Sequence, residues 1–413
     1  MHWKLIYPKW RKLERQTPFD LPPHGPVVFA AEVPDDIDLE FVDENVDPLD
    51  LEDSADLVAL SLMLTAQLPR AFEIADHYRH RRVRVLAGGI AAMLHGAEMA
   101  QHADSVFLGE VEGGRLAHVA DDFRNGALKP VYDFLHDAPP IETVGTARRD
   151  ILHRERYVYR GVPMLDLVHA SRGCRFNCFP CCTPFLGGRS FRPRPMERVV
   201  EEIEAIDNNR LFLVDNSLAQ DSQWEEDLFR ALMPLKRKWV SHPIEQDDRL
   251  LDLAYQAGCW YVYQAIFDAS DVIRDRVRRY HDHGIAVEGT VILGTDDHDA
   301  DGIKRLVDFL LEIGLDLAEF TIMTPFAHTP VREQLEREAR ILTNDPAQYT
   351  CDRVVFQPRN MTPTELQDMY YYAWDAFYAE ASQELRMGQL FTKVIKREMD
   401  DGTYNRPPRR KGE

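Results

Sequence analysis

Short apolar runs rich in β-branched residues alternate with stretches of helical period along the first 110 residues. The runs cover 5–7, 39–42, 57–63, 83–87 and 106–108, and 66–81 reads as an amphipathic helix between two of them. Strands in alternation with helices predict a parallel sheet covered on both faces. Each run stops at loop-forming residues, among them Pro8, Glu44, Thr65, Gly88, Gly89, Gly109 and Glu110. In an open α/β sheet, ligands bind in the crevice at the carboxyl ends of the strands, so these loops are where a cofactor is expected.

The stretch 135–160 contains Pro139 and Pro140 and mixed charges without clear period, and reads as a linker or connecting helix. A second alternating series follows. Its strands are expected at 165–170, 211–214, 239–242, 260–267, 286–293 and 319–324, with helices such as 196–206 and 301–312 between them. Six strand–helix units predict a partial, open β/α barrel with its active site where the strands end. Beyond about residue 336 the pattern is helical, most clearly over 362–381, where Thr362 or Thr364 serves as cap.

At 413 residues the chain has room for two or three domains. The longest apolar run, 57–66, is far short of the ~20 residues that cross a bilayer, and the first ten residues lack a signal-peptide core. A cytoplasmic location without a transmembrane segment is therefore expected. The net charge of -20 repels a phosphate backbone and disfavours a nucleic-acid partner. Only 406–411 is strongly basic, and a short charged terminus is expected to be solvated rather than to bind. The aromatics Tyr370, Tyr371, Tyr372, Trp374, Phe377 and Tyr378 either line an apolar substrate cavity or, as is commoner at helical spacing, form core.

Six cysteines in so large a chain do not make a disulfide framework, and four of them stand between 174 and 182. Cys174, Cys178 and Cys181 place three thiols at intervals of four and three in one loop after the first strand of the second series. Thiolates are the usual ligands of iron-sulfur clusters, and three of them around a four-iron cube leave one iron open for reaction. Structural zinc is normally closed by four ligands, and no second Cys or His pair with finger spacing follows. Cys182 adjoins a ligand and cannot easily reach the same cube, and Cys259 and Cys351 read as core thiols.

This loop, Cys174 to Cys181, resembles the CxxxCxxC signature of the radical S-adenosylmethionine (SAM) superfamily. The resemblance extends to Gly187, Gly188 and Arg192, to the second strand ending in Asp215 and Asn216, to the fifth strand from Gly289 to Gly294, and to the sixth, which ends at Met323 and Thr324. It implies a 4Fe-4S cluster on the three cysteines, with its open iron chelating SAM. The implied SAM contacts are Phe179, Asp215, Asn216, Gln264, Asp268, Thr290 and Thr324. Two positions depart from the pattern: Pro180 stands where an aromatic residue commonly precedes the third cysteine, and Phe267 followed by Asp268 replaces a Glu on the fourth strand.

The order of modules is similar to that of the cobalamin-binding radical SAM enzymes, a group that includes hopanoid methylases and the anaerobic oxidative cyclase of Mg-protoporphyrin monomethyl ester. The resemblance implies a Rossmann-like cobalamin-binding domain (1–135), a linker (136–163), a partial (β/α)6 radical SAM barrel (164–335) and a C-terminal helical region (336–413). The implied cobalamin contacts are Pro8, Glu44, Ser61, Leu62, Met63, Thr65, Gly88, Gly89, Ile90, Gly109 and Glu110. No DxHxxG segment is present, and His24 stands as a conceivable neighbour of cobalt or an ordinary structural histidine. No G-x-G-x-x-G follows the first strand, which argues against a nicotinamide dinucleotide. The implied activity is C-methylation of an unactivated carbon, the methyl group coming from methylcobalamin, with a small-molecule substrate, an apolar one among the options, and an electron donor such as flavodoxin or ferredoxin. A radical oxidoreductase or cyclase, and a non-enzymatic iron-sulfur or cobalamin sensor, are the alternatives.

Overall fold

The computed structural model describes residues 1–15 and 20–404, so the basic stretch 406–411 lies outside the described residues. Strand β1 (His2–Tyr7) is flanked by β2 (Asp38–Asp43) and β3 (Leu57–Ser61) and runs parallel to both. With β4 (Arg84–Gly88), β5 (Ser105–Leu108) and β6 (Val131–Asp133) they form a six-stranded parallel sheet in the order β2-β1-β3-β4-β5-β6. Strand order reverses at β1, so the crevice between the carboxyl ends of β1 and β3 is a topological switch point.

Helices α1 (His24–Ala31) and α5 (Arg115–Arg124) lie on one face, and α2 (Leu68–His80), α3 (Ile90–Leu94) and α4 (Gly96–His102) on the other. Burial from both sides explains why β3 is an unbroken apolar run, Leu57 to Leu60, instead of an alternating one. The sixth strand has no such run: of its three residues only Tyr132 is buried, which hid it from the sequence pattern. No connecting helix forms over 135–160, which instead holds short turns and part of a two-strand hairpin, Val158–Tyr159 with Val162–Pro163. Arg149 fastens this segment to the next module by donating to Leu167 O and to Glu202, both at 2.7 Å.

The second sheet contains β7 (Asp166–Val168), β8 (Arg210–Leu213), β9 (Lys238–Ser241), β10 (Cys259–Ile266), β11 (Ala286–Leu293) and β12 (Leu317–Ile322). All are parallel, sequence neighbours are spatial neighbours, and β7 and β12 do not pair, giving the expected open barrel. The helices between them are α6 (Thr183–Gly187), α7 (Met196–Glu204), α8 (Ser222–Leu232), α9 (Asp248–Gln256), α10 (Asp271–Asp282) and α11 (Ala300–Glu312). Strand alternation sends Val262, Ile266, Val287, Val291 and Phe320 outward into the helix-covered core. It leaves Tyr263, Ala265, Glu288, Thr290 and Glu319 toward the lumen.

Past α12 (Pro330–Arg337) the chain is irregular rather than helical as far as Thr362, with one bridge between Ile341 and Phe356. Thr362 and Glu365 form a reciprocal cap on α13 (Pro363–Phe377), which ends earlier than the expected 381. Tyr370, Trp374 and Phe377 are buried, and Trp374 and Phe377 meet Phe320 of β12 edge-on, so this aromatic stripe is core. Helix α14 (Gln383–Asp400) closes the amino-terminal end of the barrel with Met387, Leu390 and Val394. No described helix is long and apolar enough to cross a membrane.

Candidate active site

Strand β7 delivers the cysteine loop. Ser171 and Arg172 pair antiparallel with Arg192 and Pro193, which closes 173–191 into a hairpin loop. Gly173 has φ 77°, and a Cβ there would lie 2.0 Å from Ser190 O, so only glycine lets the two sides meet. Cys174 is buried, Cys178 exposed and Cys181 half-buried. Cys181 N–H donates to Cys178 O at 3.1 Å, a turn that folds the second and third cysteines together. Burial, followed by the nearby Cys181 and Cys174, pushes the Cys178 thiol up. Among the described residues no three His, Cys, Asp or Glu side chains converge on one ion. A single zinc needs its thiolates at about 2.3 Å from one centre, whereas a four-iron cube takes each thiolate on a separate iron, the donor chemistry that three thiols in one short loop offer. Burial and Cys181 push the neighbouring Cys182 thiol up to about 11.

Side chains from the segment that follows β8 and from α6 hold the loop. Gln220 donates from Nε2 to Cys174 Sγ at 3.3 Å and accepts Arg175 N–H at 2.8 Å. Thr183 N–H lies 3.4 Å from Cys181 Sγ, and its hydroxyl donates to Asn216 at 3.3 Å. Asn216 in turn donates to Gly173 O at 3.4 Å. Asp215 is buried and accepts from Ala170 N–H at 3.0 Å and from the Ser171 hydroxyl. Burial pushes its carboxyl up to about 6 against these two bonds. Asp215 thus supports the cysteine loop from below, and Asn216 ties it to β8. Nothing near Gln220 in the sequence marks it, and its role emerges only when β8 and β7 lie side by side.

Beside Cys178, a cavity of about 800 Å³ opens at the carboxyl ends of β10 and β11. Phe179 and Pro180 form one wall, Phe267 and Asp268 another, and His298 is part of its lining. His298 accepts Gly294 N–H on Nδ1 at 3.1 Å and donates from Nε2 to Phe267 O at 2.8 Å, which fixes its tautomer and joins the two strand ends. Phe179 and Asp268 therefore share one cavity, whereas the other expected SAM contacts do not line it. Thr290 faces the lumen. Thr324 is buried and donates to Ile322 O at 3.0 Å. Gln264 is corrected: alternation puts it on the helix-facing side with Val262 and Ile266, 4% exposed, and presents Ala265 to the lumen instead.

At the switch point of the first sheet, Gln67 is fully buried and knits the loops together. It donates to Pro8 O at 2.6 Å and accepts from Met63 N–H and Leu64 N–H at 2.8 and 2.9 Å. Gly89, at φ 90°, packs its Cα against Leu62, where a Cβ would meet Leu62 O at 2.4 Å. Met63 and Ile90 remain 56% and 38% exposed, so this crevice offers apolar surface suited to a broad flat ring, with Ser61, Gly88 and Gly109 partly open nearby. Pro8, Leu62 and Thr65 are buried, Thr65 lying 3.3 Å from His95 Nε2. Glu44 is occupied by Arg70, at 2.6 Å, and by Lys9 N–H. Glu110 pairs with Arg172 at 2.9 Å and with Arg192, bridging the first sheet to the cysteine loop. His24 does the same from α1: its Nε2 lies 2.7 Å from His169 Nδ1, and burial with nearby arginines pushes its imidazole down to about 3.

No family model matches the chain. It is 24% identical over 358 residues to bacteriochlorophyllide d C-12(1)-methyltransferase of Chlorobaculum tepidum, covering 81% of this chain and 77% of that protein. Against hopanoid C-2 methylase of Rhodopseudomonas palustris it is 22% identical over 363 residues, 80% of this chain and 67% of the relative. Among solved structures, the radical SAM methyltransferase TsrM from Kitasatospora setae, with cobalamin and a 4Fe-4S cluster bound, superposes with a TM-score of 0.68 over 89% of this chain and 85% of that one, at 17% identity. The cobalamin-dependent SAM radical enzyme OxsB, with aqua-cobalamin and SAM bound, gives 0.67 over 96% and 71% at 15% identity. The chain therefore has, across nearly its whole length, the two-module fold of the cobalamin-dependent radical SAM enzymes.

Proposed function

We propose that this chain is a cobalamin-dependent radical SAM C-methyltransferase, acting on an unactivated carbon of a small molecule in the cytoplasm and drawing electrons from a flavodoxin- or ferredoxin-like donor. One observation carries the reading: a loop with three thiols emerges from the first barrel strand and is bridged by Arg172 and Arg192 to Glu110, at the carboxyl edge of the other sheet. When bound, the cluster with SAM supplies a carbon-centred radical able to take hydrogen from carbon, and cobalamin supplies the methyl group.

The chain's own residues position these groups. Cys174, Cys178 and Cys181 hold the cluster, with Gln220 donating to the first thiolate and Thr183 N–H to the third. Phe179 and Phe267 offer faces for a nucleobase, and Asp268 offers acceptors for ribose hydroxyls. Met63 and Ile90 give the crevice an apolar rim, and the ion pairs around Arg172 keep the two modules in register. The homologous methyltransferases support methyl transfer over oxidation without it.

Anaerobic reconstitution tests the proposal. Wild type should bind four irons per chain by the chemistry of such cubes, form 5'-deoxyadenosine from SAM under strong reductant, and pass labelled methyl to product in the presence of cobalamin. Replacing Cys174, Cys178 and Cys181 by Ala should abolish all three, whereas Cys182→Ser should abolish none. Deoxyadenosine without methyl transfer would turn the assignment to a radical oxidoreductase or cyclase.

A further inference from the structure

Three aromatic rings from neighbouring strands meet on the lumen side of the barrel. Phe212 lies on β8, His242 directly follows β9, and Tyr263 lies on β10; Phe212 aligns with Val240 and Ser241 with Val262, so the three stand at adjacent levels. Phe212 stacks on Tyr263 at 5.3 Å between ring centres, with 28° between their planes. The imidazole lies tilted beside both, 5.5 Å from Phe212 and 6.1 Å from Tyr263. The Tyr263 hydroxyl bonds that of Tyr261 at 2.8 Å, which fixes the ring from below.

A backbone carbonyl sets the tautomer of the imidazole. His242 Nδ1 lies 2.6 Å from Asp215 O, and a carbonyl oxygen only accepts, so Nδ1 carries the proton. Burial pushes the imidazole below its ordinary value, and the ring is neutral at pH 7. Nε2 is then a bare acceptor, and among the described residues no donor meets it. An acceptor held half-buried among aromatic rings favours a ligand that brings a donor. Two residues further along the strands, Val214 is half-buried and Ala265 exposed, so the strands place only small side chains above the triad. The next inward position on β8 leads to Asn216, which donates to Gly173 O at 3.4 Å, and this side of the lumen therefore rises to the cysteine loop.

We propose that this lumen takes a flat, unsaturated substrate whose edge hydroxyl or N–H donates to His242 Nε2, with Phe212 and Tyr263 against its ring system. The proposal deepens the methyltransferase reading by naming the substrate class, and rests on that reading for the reaction but not for binding. A flat π-system stacks on the Phe212 and Tyr263 pair where a puckered ring does not. A substrate with its donor capped leaves Nε2 unpaired inside the site, so His242 determines specificity.

The test is calorimetric titration of the reconstituted holoenzyme at pH 7 with naphthol, methoxynaphthalene and decalol. The first has both a flat ring and a donor, the second lacks the donor, and the third lacks the flatness. Naphthol should bind roughly tenfold more tightly than either analogue. His242→Phe and His242→Asn should each erase the preference over methoxynaphthalene; the Asn amide still donates to Asp215 O but offers no acceptor at the Nε2 position. Phe212→Leu should weaken naphthol and methoxynaphthalene alike and reduce the preference over decalol. Iron content and circular dichroism verify the folding of each variant. Equal affinity for naphthol and either analogue in wild type, a preference over methoxynaphthalene that survives in His242→Asn, or a Phe212→Leu protein that binds all three as wild type does would each overturn the proposal. If naphthol binds as expected while SAM is not cleaved, the reaction assignment fails and the His242 site stands; SAM cleavage without the naphthol preference gives the reverse.

Discussion

Arg172 and Glu112 meet end to end, with Nη1 3.0 Å from Oε2 and Nη2 paired to Oε1. Glu112 is 1% exposed and follows β5 of the first sheet, while Arg172 stands two residues before Cys174. The pair therefore locks the cysteine loop to the crevice of the other module. Arg172→Met leaves Glu112 buried without its cation, which costs about 3–5 kcal/mol, while Glu110 keeps Arg192. The expected result is a lower urea midpoint and less iron retained per chain. Adding Glu112→Gln should restore most of the stability, because a neutral amide strands no charge. A double variant as unstable as Arg172→Met would show that lost packing, not a stranded carboxylate, sets the cost.

Gly173 sets the width of the cysteine loop. Alanine there costs about 1–2 kcal/mol for the left-handed backbone alone, and its Cβ would in addition lie 2.0 Å from Ser190 O. The hairpin must open, while the two sheets, far larger than this contact, should remain. Gly173→Ala is expected to give a wild-type circular dichroism spectrum with iron content well below half that of wild type. Full iron loading would mean that the loop tolerates a wider closure than the structure shows.

Much of this arrangement was legible in the chain because burial of a parallel sheet on both faces writes itself as apolar runs, as in Leu57 to Leu60, and because thiol spacing states its own chemistry. The partial barrel emerged the same way, strand by strand. What stayed hidden has physical causes. Val131 to Asp133 bury one side chain and leave no pattern; Gln67 and Gln220 act through contacts across 59 and 46 residues that no local signal encodes. Glu110 reads as a loop residue at a strand end, and only the placement of Arg172 and Arg192 shows that its carboxylate joins the modules. Gln264 is named as a SAM contact by resemblance alone, and only the paired strands show it on the same side as Val262 and Ile266, since a one-residue shift in a strand exchanges lumen for core.

On the proposed assignment of the cluster to Cys174, Cys178 and Cys181, Gln220 tunes its potential. An N–H donated to a ligating sulfur withdraws electron density and raises the reduction potential. Gln220→Leu removes that donor from Cys174 and leaves Arg175 N–H without its acceptor. The variant should assemble a cluster whose potential is more negative than that of wild type, by redox titration followed with electron paramagnetic resonance. Deoxyadenosine formation should slow with a mild reductant and recover with a stronger one. An unchanged potential with slow turnover would instead indicate a displaced loop.

Asp215 supplies a pH signature of the loop's foundation. Its carboxyl is pushed by burial from the ordinary 3.8 up to about 6, so the folded protein binds a proton there more tightly than the unfolded chain. Stability from this group is complete below pH 3.8 and is lost as the pH rises through about 6, where the carboxylate ionises inside the protein. A shift of this size is worth about 3 kcal/mol. Asp215→Asn keeps the shape: its Oδ1 accepts from Ala170 N–H and its amide donates to Ser171 Oγ, with no charge to ionise. Between pH 3 and pH 7 the urea-derived stability of the variant relative to wild type should therefore rise by about 3 kcal/mol. A difference that stays constant with pH would mean that the Ala170 and Ser171 hydrogen bonds fully offset the burial, leaving an ionised Asp215 as the resting state of the loop.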